Sequence, residues 1–411
     1  MLDIEWKLIY NTPVIFLITE RRNMSEQKWV AGWGTGISTI LQNHSEYFKN
    51  ETFRYMIFPT MDATALRLHF SNEYGDEPCT IDKTFVAQAS SDKAEAEKIV
   101  PETNRQVTFG GNASVTLQPG ESCVSDEIPF DVFAGKSFAV SIYIKEMTKM
   151  MTGHSNSGVY IKKYFSSGDY SESAVFPNEL YGDNPPYFCL HTIDFLTDAE
   201  QDCHAVIAFG DSITAQPWPD YFAHRLFDLG IRDRAVIRKG IGGGRVLREY
   251  ECRIKKHWGV AGIRRFERDI LQAGADRVIV LHGTNDIIHP NPNDRFYKNE
   301  VMPTADELIN LGYRKYIEIA HAHGMKIYLA TILPCPRCLN GDGEKEKVRC
   351  GVNDWIRSQT EADGVIDFES AMWNPLDHKQ LLEGYDSGDH LHPSLAGAKH
   401  MAETVPLEFL K

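Results

Sequence analysis

Hydrophobic periodicity changes once along this chain, and the change divides it into two folding units. From about Trp29 to Tyr187 apolar residues recur at every second position. Leu66, Leu68 and Phe70 alternate with Arg67 and His69, while Phe138, Val140, Ile142 and Ile144 alternate with Ser137, Ser141 and Tyr143. Successive strand side chains point to opposite faces, so this is the signature of strands with one buried face. Turn residues punctuate them at 72–75, 110–112, 119–120 and 134–135, a spacing typical of an antiparallel sandwich. The expectation is an all-β, jelly-roll-like sandwich over residues 24–200.

Past a proline-bearing segment at 182–186, short apolar runs alternate with helical stretches. The run 205–209 precedes a helix carrying Phe222, Leu226 and Leu229, and 235–237 precedes a helix near 263–271. The runs 278–281 and 327–331 precede helices near 305–321 and 344–358, and 365–368 is the last strand before a terminal helix after Pro393. Five β-then-α units predict a parallel sheet covered on both faces, a three-layer α/β/α, flavodoxin-like domain over 201–411. In such sheets ligands bind beyond the C-terminal strand ends.

The first of these strands runs straight into Gly210-Asp211-Ser212-Ile213-Thr214. A serine between a strand and a helix presents its hydroxyl above the sheet, beside the free N–H groups of the helix N-terminus, which suits a nucleophile. The second strand opens into Gly240-Ile241-Gly242-Gly243-Gly244-Arg245. Glycines let a backbone approach a ligand and turn its N–H groups toward negative charge. A phosphate loop is the rival, but no Lys-Ser/Thr pair follows and G-x-G-x-x-G is not met; a plain tight turn is the other alternative.

The third strand ends in His282-Gly283-Thr284-Asn285-Asp286. The Asn285 amide could donate to a developing oxyanion, or the segment is simply a turn with a helix cap. Near the C-terminus stands Asp386-Ser387-Gly388-Asp389-His390-Leu391-His392-Pro393. An aspartate three residues before a histidine can reach its Nδ1–H and leave Nε2 to take a serine proton. The crowding of Asp and His there is also compatible with zinc.

These four pieces, in this order at the strand ends, resemble the four blocks of the SGNH (GDSL-like) hydrolase family over about residues 203–411. The resemblance implies that Ser212 is the nucleophile and His392 the base, oriented by Asp389. It also implies that Gly243 and Asn285 complete an oxyanion hole with the Ser212 N–H. Gly242 and Gly244 stand where related sequences often have Ser and Asn. The segments 66–75, 107–111 and 164–169 are similar to the β-domain that precedes the hydrolase domain in one bacterial subgroup.

The implied function is a serine esterase acting without metal or organic cofactor. A short acyl group, acetyl first, on a sugar or oligosaccharide is favoured, because no extended apolar lid is legible and the loop 287–295 is rich in His, Pro and Asn. Trp218 is a candidate for stacking on a sugar ring or for the core; with His282 and Asp211 it makes up the candidate substrate-binding set. The rivals are a lipase or lysophospholipase-like acylhydrolase and a non-catalytic carbohydrate-binding protein.

Composition excludes other classes. With 43 Lys+Arg against 57 Asp+Glu the net charge is −14, which disfavours a nucleic-acid partner. The densest basic run, 245–268, also carries Glu249, Glu251 and Glu267 and reads as a solvated helical surface. No apolar run approaches the roughly 18–20 residues of a membrane span. The N-terminus has acidic Asp3 and Glu5 where a signal peptide has basic residues, so a cytoplasmic location is expected. Glu20-Arg21-Arg22 can be encoded as a purine-rich run resembling a bacterial ribosome-binding site before Met24, which marks residues 1–23 as an erroneous upstream start or a disordered N-terminus. Eight cysteines are too few for a disulfide scaffold, and Cys335-Pro336-Arg337-Cys338 with Cys350 reads as reduced loop thiols in preference to zinc. Homo-oligomerisation is left open.

Overall fold

The computed structural model describes residues 26–40, 47–90, 98–154, 162–177, 186–291, 300–339 and 343–411. The segment 1–23, on which the start-site expectation falls, lies outside the described residues.

The first half contains two five-stranded antiparallel sheets. One runs in the order Gln27–Gly34, Leu190–Asp198, Ala63–Ser71, Ser122–Val124, with Ile128–Val132 also paired to Ala63–Ser71. The other runs Lys163–Ser167, Glu51–Ile57, Phe138–Ile144, Lys83–Gln88, Arg105–Val107. They meet face to face: Phe130 and Phe195 of the first sheet touch Phe138 of the second at ring-centroid distances of 5.7 and 6.2 Å. Gly120 and Gly135 sit at φ +84° and +80°, left-handed conformations that glycine adopts without steric cost.

The expectation of a single buried face fails for Phe138–Ile144, which is buried at every position. The strand is central in its sheet, and its outer face is covered as well. Ser141 Oγ accepts a 2.9 Å hydrogen bond from Arg54 Nε, and the Arg54 guanidinium lies 4.8 Å from the Phe176 ring centre.

The second half is built on a parallel sheet of His204–Gly210, Arg234–Gly240, Ala275–Leu281, Lys326–Ala330 and Gly364–Ile366, in the order 2-1-3-4-5. Its first strand alternates between two cores. Val206 and Ala208 pack with Trp218, Phe222, Leu226 and Met401, whereas Ala205, Ile207 and Phe209 pack with Phe266, Tyr316, Ile317 and Val352. Helices Trp218–Asp228 and Leu395–Thr404 therefore cover one face, and Gly262–Ile270, Arg314–Ala322 and Glu344–Ser358 the other. These are the three expected layers.

Three details depart from the sequence reading. The helix expected over 305–321 is divided by a π-helical turn, Leu308–Tyr313, in which Gly312 packs against Val246. Phe368 begins a short helix instead of ending a strand, because the Asp367 carboxylate accepts from Ser370 N at its start. The basic run 245–268 is not a solvated helical face: Arg245 and Arg265 are buried. Arg265 donates to the carbonyls of Lys239 and Gly210 at 2.9 and 2.7 Å and pairs with Asp269 at 2.6 Å. A guanidinium can be buried when both of its terminal nitrogens are paired in this way.

The halves share a joint along the Arg234–Gly240 edge of the parallel sheet. Thr35, just past Gln27–Gly34, forms a parallel bridge with Arg238. Lys239 Nζ donates to Thr35 O and Thr192 Oγ1 at 3.1 and 3.2 Å, and Ala31 N donates to Ala273 O at 2.8 Å. Burial holds the Lys239 ammonium down to about 8. Among the described residues no helix is long and apolar enough to cross a membrane.

Candidate active site

The first three parallel strands end level with one another, so the segments leaving Gly210, Gly240 and Leu281 are brought together. Asp211 caps the helix Ser212–Ala215 by accepting from Ile213 N at 3.0 Å, which fixes Ser212 at the helix start. The C-terminal turn approaches this point. Ser212 Oγ lies 2.8 Å from His392 Nε2, and His392 Nδ1 lies 2.6 Å from Asp389 Oδ2. Asp389 Oδ1 also accepts from His392 N at 2.8 Å and Leu391 N at 3.0 Å. Partial burial works against its charged form, but these donors outweigh it and hold the carboxyl well below the usual range.

The crowded Asp and His residues of this turn sort into two separate pairs. Asp386 holds His390, with Oδ2 2.8 Å from Nδ1, while Asp389 holds His392. His390 sits at φ +58°, a left-handed conformation supported by its N–H donating to Asp386 Oδ1 at 3.1 Å. That reversal is what lets Asp389 face the ring three residues on.

The glycine turn after Gly240 is pinned at nearly every peptide. Ile241 N donates to Gly210 O at 3.1 Å, Gly244 N to Ile241 O at 3.0 Å, and Gly262 N to Arg245 O at 2.7 Å. Asn285 Nδ2 donates to Gly244 O at 3.1 Å, leaving the second amide hydrogen for another acceptor. Asp286 accepts from Val246 N and Leu247 N at 2.7 and 3.1 Å. Among the described residues, neither Gly242 N–H nor Gly243 N–H has an acceptor. The turn lies against the serine: a Cβ at Gly242 would stand 4.0 Å from Ser212 Cβ. Gly243 has φ +76°, and a Cβ there would come within 2.2 Å of the Trp258 ring. The Gly242 and Gly243 N–H groups and one Asn285 amide hydrogen are thus left without an acceptor in a turn that passes beside Ser212.

The proposed substrate contacts fare differently. Trp218 is 1% exposed and packs edge-on against Phe368 at 5.5 Å, so its ring has no face left for a sugar. His282 is equally buried, 3.1 Å from the Tyr316 hydroxyl through Nδ1, and burial drives its pKa down to about 3. Asp211 is buried beneath the nucleophile turn. Burial, aided by the Asp286 charge, raises its carboxyl to about 7, and burial likewise raises Asp286 to about 6. All three support the site from within the core. Sequence reasoning passed over Asp286, Tyr250, Trp258 and His289, which surround the glycine turn. Asp286 is adjacent to Asn285 in the chain, the one available signal; Tyr250 and Trp258 come from the long segment that continues the glycine turn, and His289 from the turn after Asn285.

Cys335 and Cys338 are buried and Cys350 is partly buried, and none of the eight cysteines forms a disulfide. A separate cavity of about 490 Å³ lies between the sandwich and the helix Gly262–Ile270, lined by Arg67, His69, Asp194, Lys239 and Arg268. It contains none of the residues that converge on Ser212.

Fold and site together are of the α/β hydrolytic type that places a serine at a strand-to-helix turn. Residues 208–400 match the model of the GDSL-like lipase/acylhydrolase family. Similar solved structures include a GDSL-like lipase from Bacteroides thetaiotaomicron, with 19% identity, covering 50% of this chain and 86% of that one, at a TM-score of 0.35. An acetyl xylan esterase from Geobacillus stearothermophilus has 20% identity, with coverages of 49% and 94% and a TM-score of 0.36. A member of the lipolytic G-D-S-L family from Veillonella parvula has 16% identity, coverages of 49% and 96%, and a TM-score of 0.32. A search of curated proteins gave no match.

Proposed function

We propose that the protein is a serine esterase that hydrolyses short-chain acyl esters, acetyl first, on sugars or oligosaccharides. One observation carries this reading: Ser212 Oγ at 2.8 Å from His392 Nε2, with Nδ1 held 2.6 Å from Asp389. Ser212 Oγ attacks the ester carbonyl as Nε2 takes its proton, and Asp389 stabilises the imidazolium. The tetrahedral oxyanion is held by the N–H groups of Ser212 and Gly243 and by Asn285 Nδ2. Nε2–H then protonates the departing alcohol, leaving an acyl group on Ser212. Water, deprotonated by the same nitrogen, releases the acid and restores the serine.

The short acyl group and the hydroxyl-rich alcohol are supported by a side chain beside the glycine turn. Trp258, half-buried beside Gly243, is amphipathic and suits a sugar ring better than a lipid tail. The sandwich is read as a wall beside the site. Gly36 packs on the Gly240 carbonyl, where a Cβ would come within 2.8 Å, and Ser38 stands beside Gly259.

A fluorophosphonate probe should label the protein and fail to label Ser212→Ala. Rates on p-nitrophenyl acetate should exceed those on the decanoate, and a panel of acetylated oligosaccharides should release acetate. Faster decanoate hydrolysis would move the assignment to a lipase; labelling of Ser212→Ala would remove the nucleophile.

A further inference from the structure

We propose that Tyr250 is a positioning residue for the oxyanion hole, with its phenol aimed by His289; this rests on the serine-esterase reading above. Three successive glycines, Gly242 to Gly244, give a turn with little conformational preference of its own. An N–H donor contributes to catalysis only when already pointed at the place where negative charge develops. Such a turn therefore needs external clamping.

Tyr250 supplies a clamp at the central glycine. It is buried, and its hydroxyl donates to Gly243 O at 2.9 Å. The other end of that peptide is held by Gly244 N donating to Ile241 O, so the peptide after Gly243 is fixed at both ends, and through the Gly243 Cα it restricts how the preceding peptide, which carries the Gly243 N–H, can turn. The phenol oxygen also meets His289 Nδ1 in a short hydrogen bond. A phenol has one proton, and it is used on Gly243 O. His289 must then carry its proton on Nδ1 and donate to the phenol oxygen. The result is a directed chain: His289 Nδ1–H to Tyr250 O–H to Gly243 O=C.

Packing holds the chain in place. Trp258 lies against the Gly243 Cα, and His289 stacks parallel to Trp258 at 4.7 Å and 11°. Tyr250 meets Trp258 edge-on at 4.7 Å, and the Arg245 guanidinium lies 3.7 Å from the Tyr250 ring centre. Neither Tyr250 nor His289 need touch the reacting atoms for this role; they act through the Gly243 backbone.

The test uses the full chain, p-nitrophenyl acetate, and a methyl trifluoromethyl ketone that adds to Ser212 as a tetrahedral oxyanion. Tyr250→Phe keeps the ring and removes the clamp. Its kcat should fall about tenfold, the order expected for a misaligned rather than deleted donor, with KM unchanged and ketone affinity reduced by the same factor. His289→Leu should show the same pattern, and His289→Asn, whose amide can donate in place of Nδ1–H, should restore most of kcat. Wild-type kcat and ketone affinity in Tyr250→Phe would overturn the proposal. So would a rise in KM at constant kcat, which would make Tyr250 a substrate contact. Should Tyr250→Phe fail to fold, the His289→Leu and His289→Asn pair decides by the same criteria. Ser212→Ala is run alongside: hydrolysis surviving there would strike the esterase reading, a result separable from any effect at Tyr250.

Discussion

Asp389 uses both carboxylate oxygens on the same short turn: Oδ2 faces His392 Nδ1 at 2.6 Å while Oδ1 accepts the His392 backbone N–H at 2.8 Å. The second bond fixes the carboxylate relative to the peptide that carries the ring, so the carboxylate cannot swing away from the imidazole without breaking a backbone contact. Asp389→Asn would present an amide N–H to Nδ1 and favour the tautomer with its proton on Nε2, which cannot accept from Ser212. We expect kcat for p-nitrophenyl acetate to fall roughly 10³- to 10⁴-fold with the fold intact. Circular dichroism and kinetics on the same sample check both halves of the statement.

Asn285→Ala removes the proposed oxyanion donor and the bond to Gly244 O together. A loss of about 10²- to 10³-fold in kcat, with KM little changed, is the expected result for an oxyanion donor. An effect confined to KM would place Asn285 in ground-state binding instead.

The buried carboxyl of Asp211 gives a pH signature of definite sign. Its folded pKa, raised by burial to about 7, exceeds that of the unfolded chain. The folded state therefore holds the proton longer, and the associated stability is present at acid pH and lost as pH rises through about 7. Asparagine keeps the cap on Ile213 N and has no proton to lose. Relative to wild type, Asp211→Asn should gain thermal stability between pH 5 and pH 8. Melting curves at the two pH values decide it, since a constant difference would mean that Asp211 titrates normally.

Arg265 ties the nucleophile strand to its neighbour through Gly210 O and Lys239 O while pairing with buried Asp269. Arg265→Ala leaves that carboxylate without one of its partners and removes a donor from each of two carbonyls, of which Gly210 O keeps Ile241 N. A destabilisation of about 3–5 kcal/mol is expected, measurable by urea unfolding. A change below about 0.5 kcal/mol would be the behaviour of a surface residue.

Much of this architecture is legible in the sequence because periodicity reports burial directly. The 205–209 run feeds two cores at once, as the continuous apolar character of a parallel strand requires. Chain order does not convey which way a side chain turns once its element is packed. Trp218 stands six residues after Ser212, yet it faces inward with Phe222 and Leu226, and that four-residue spacing is the signal of a core stripe. Trp258 is 46 residues beyond Ser212 and reaches the glycine turn only through a long loop. Arg245 and Arg265 read as solvated because charge is usually exposed; their burial depends on carbonyls and carboxylates supplied by other elements of the fold.

The bridge between Thr35 and Arg238 limits how the molecule can associate with itself. Strand-by-strand continuation of a sheet into a second copy requires a free rim, and along Arg234–Gly240 the sandwich occupies part of that rim. The opposite rim, Gly364–Ile366, is only three residues long. The hydrolase sheet therefore offers little purchase for fibre-like growth in either direction. A dimer formed by merging two such sheets would have to begin on that three-residue stub.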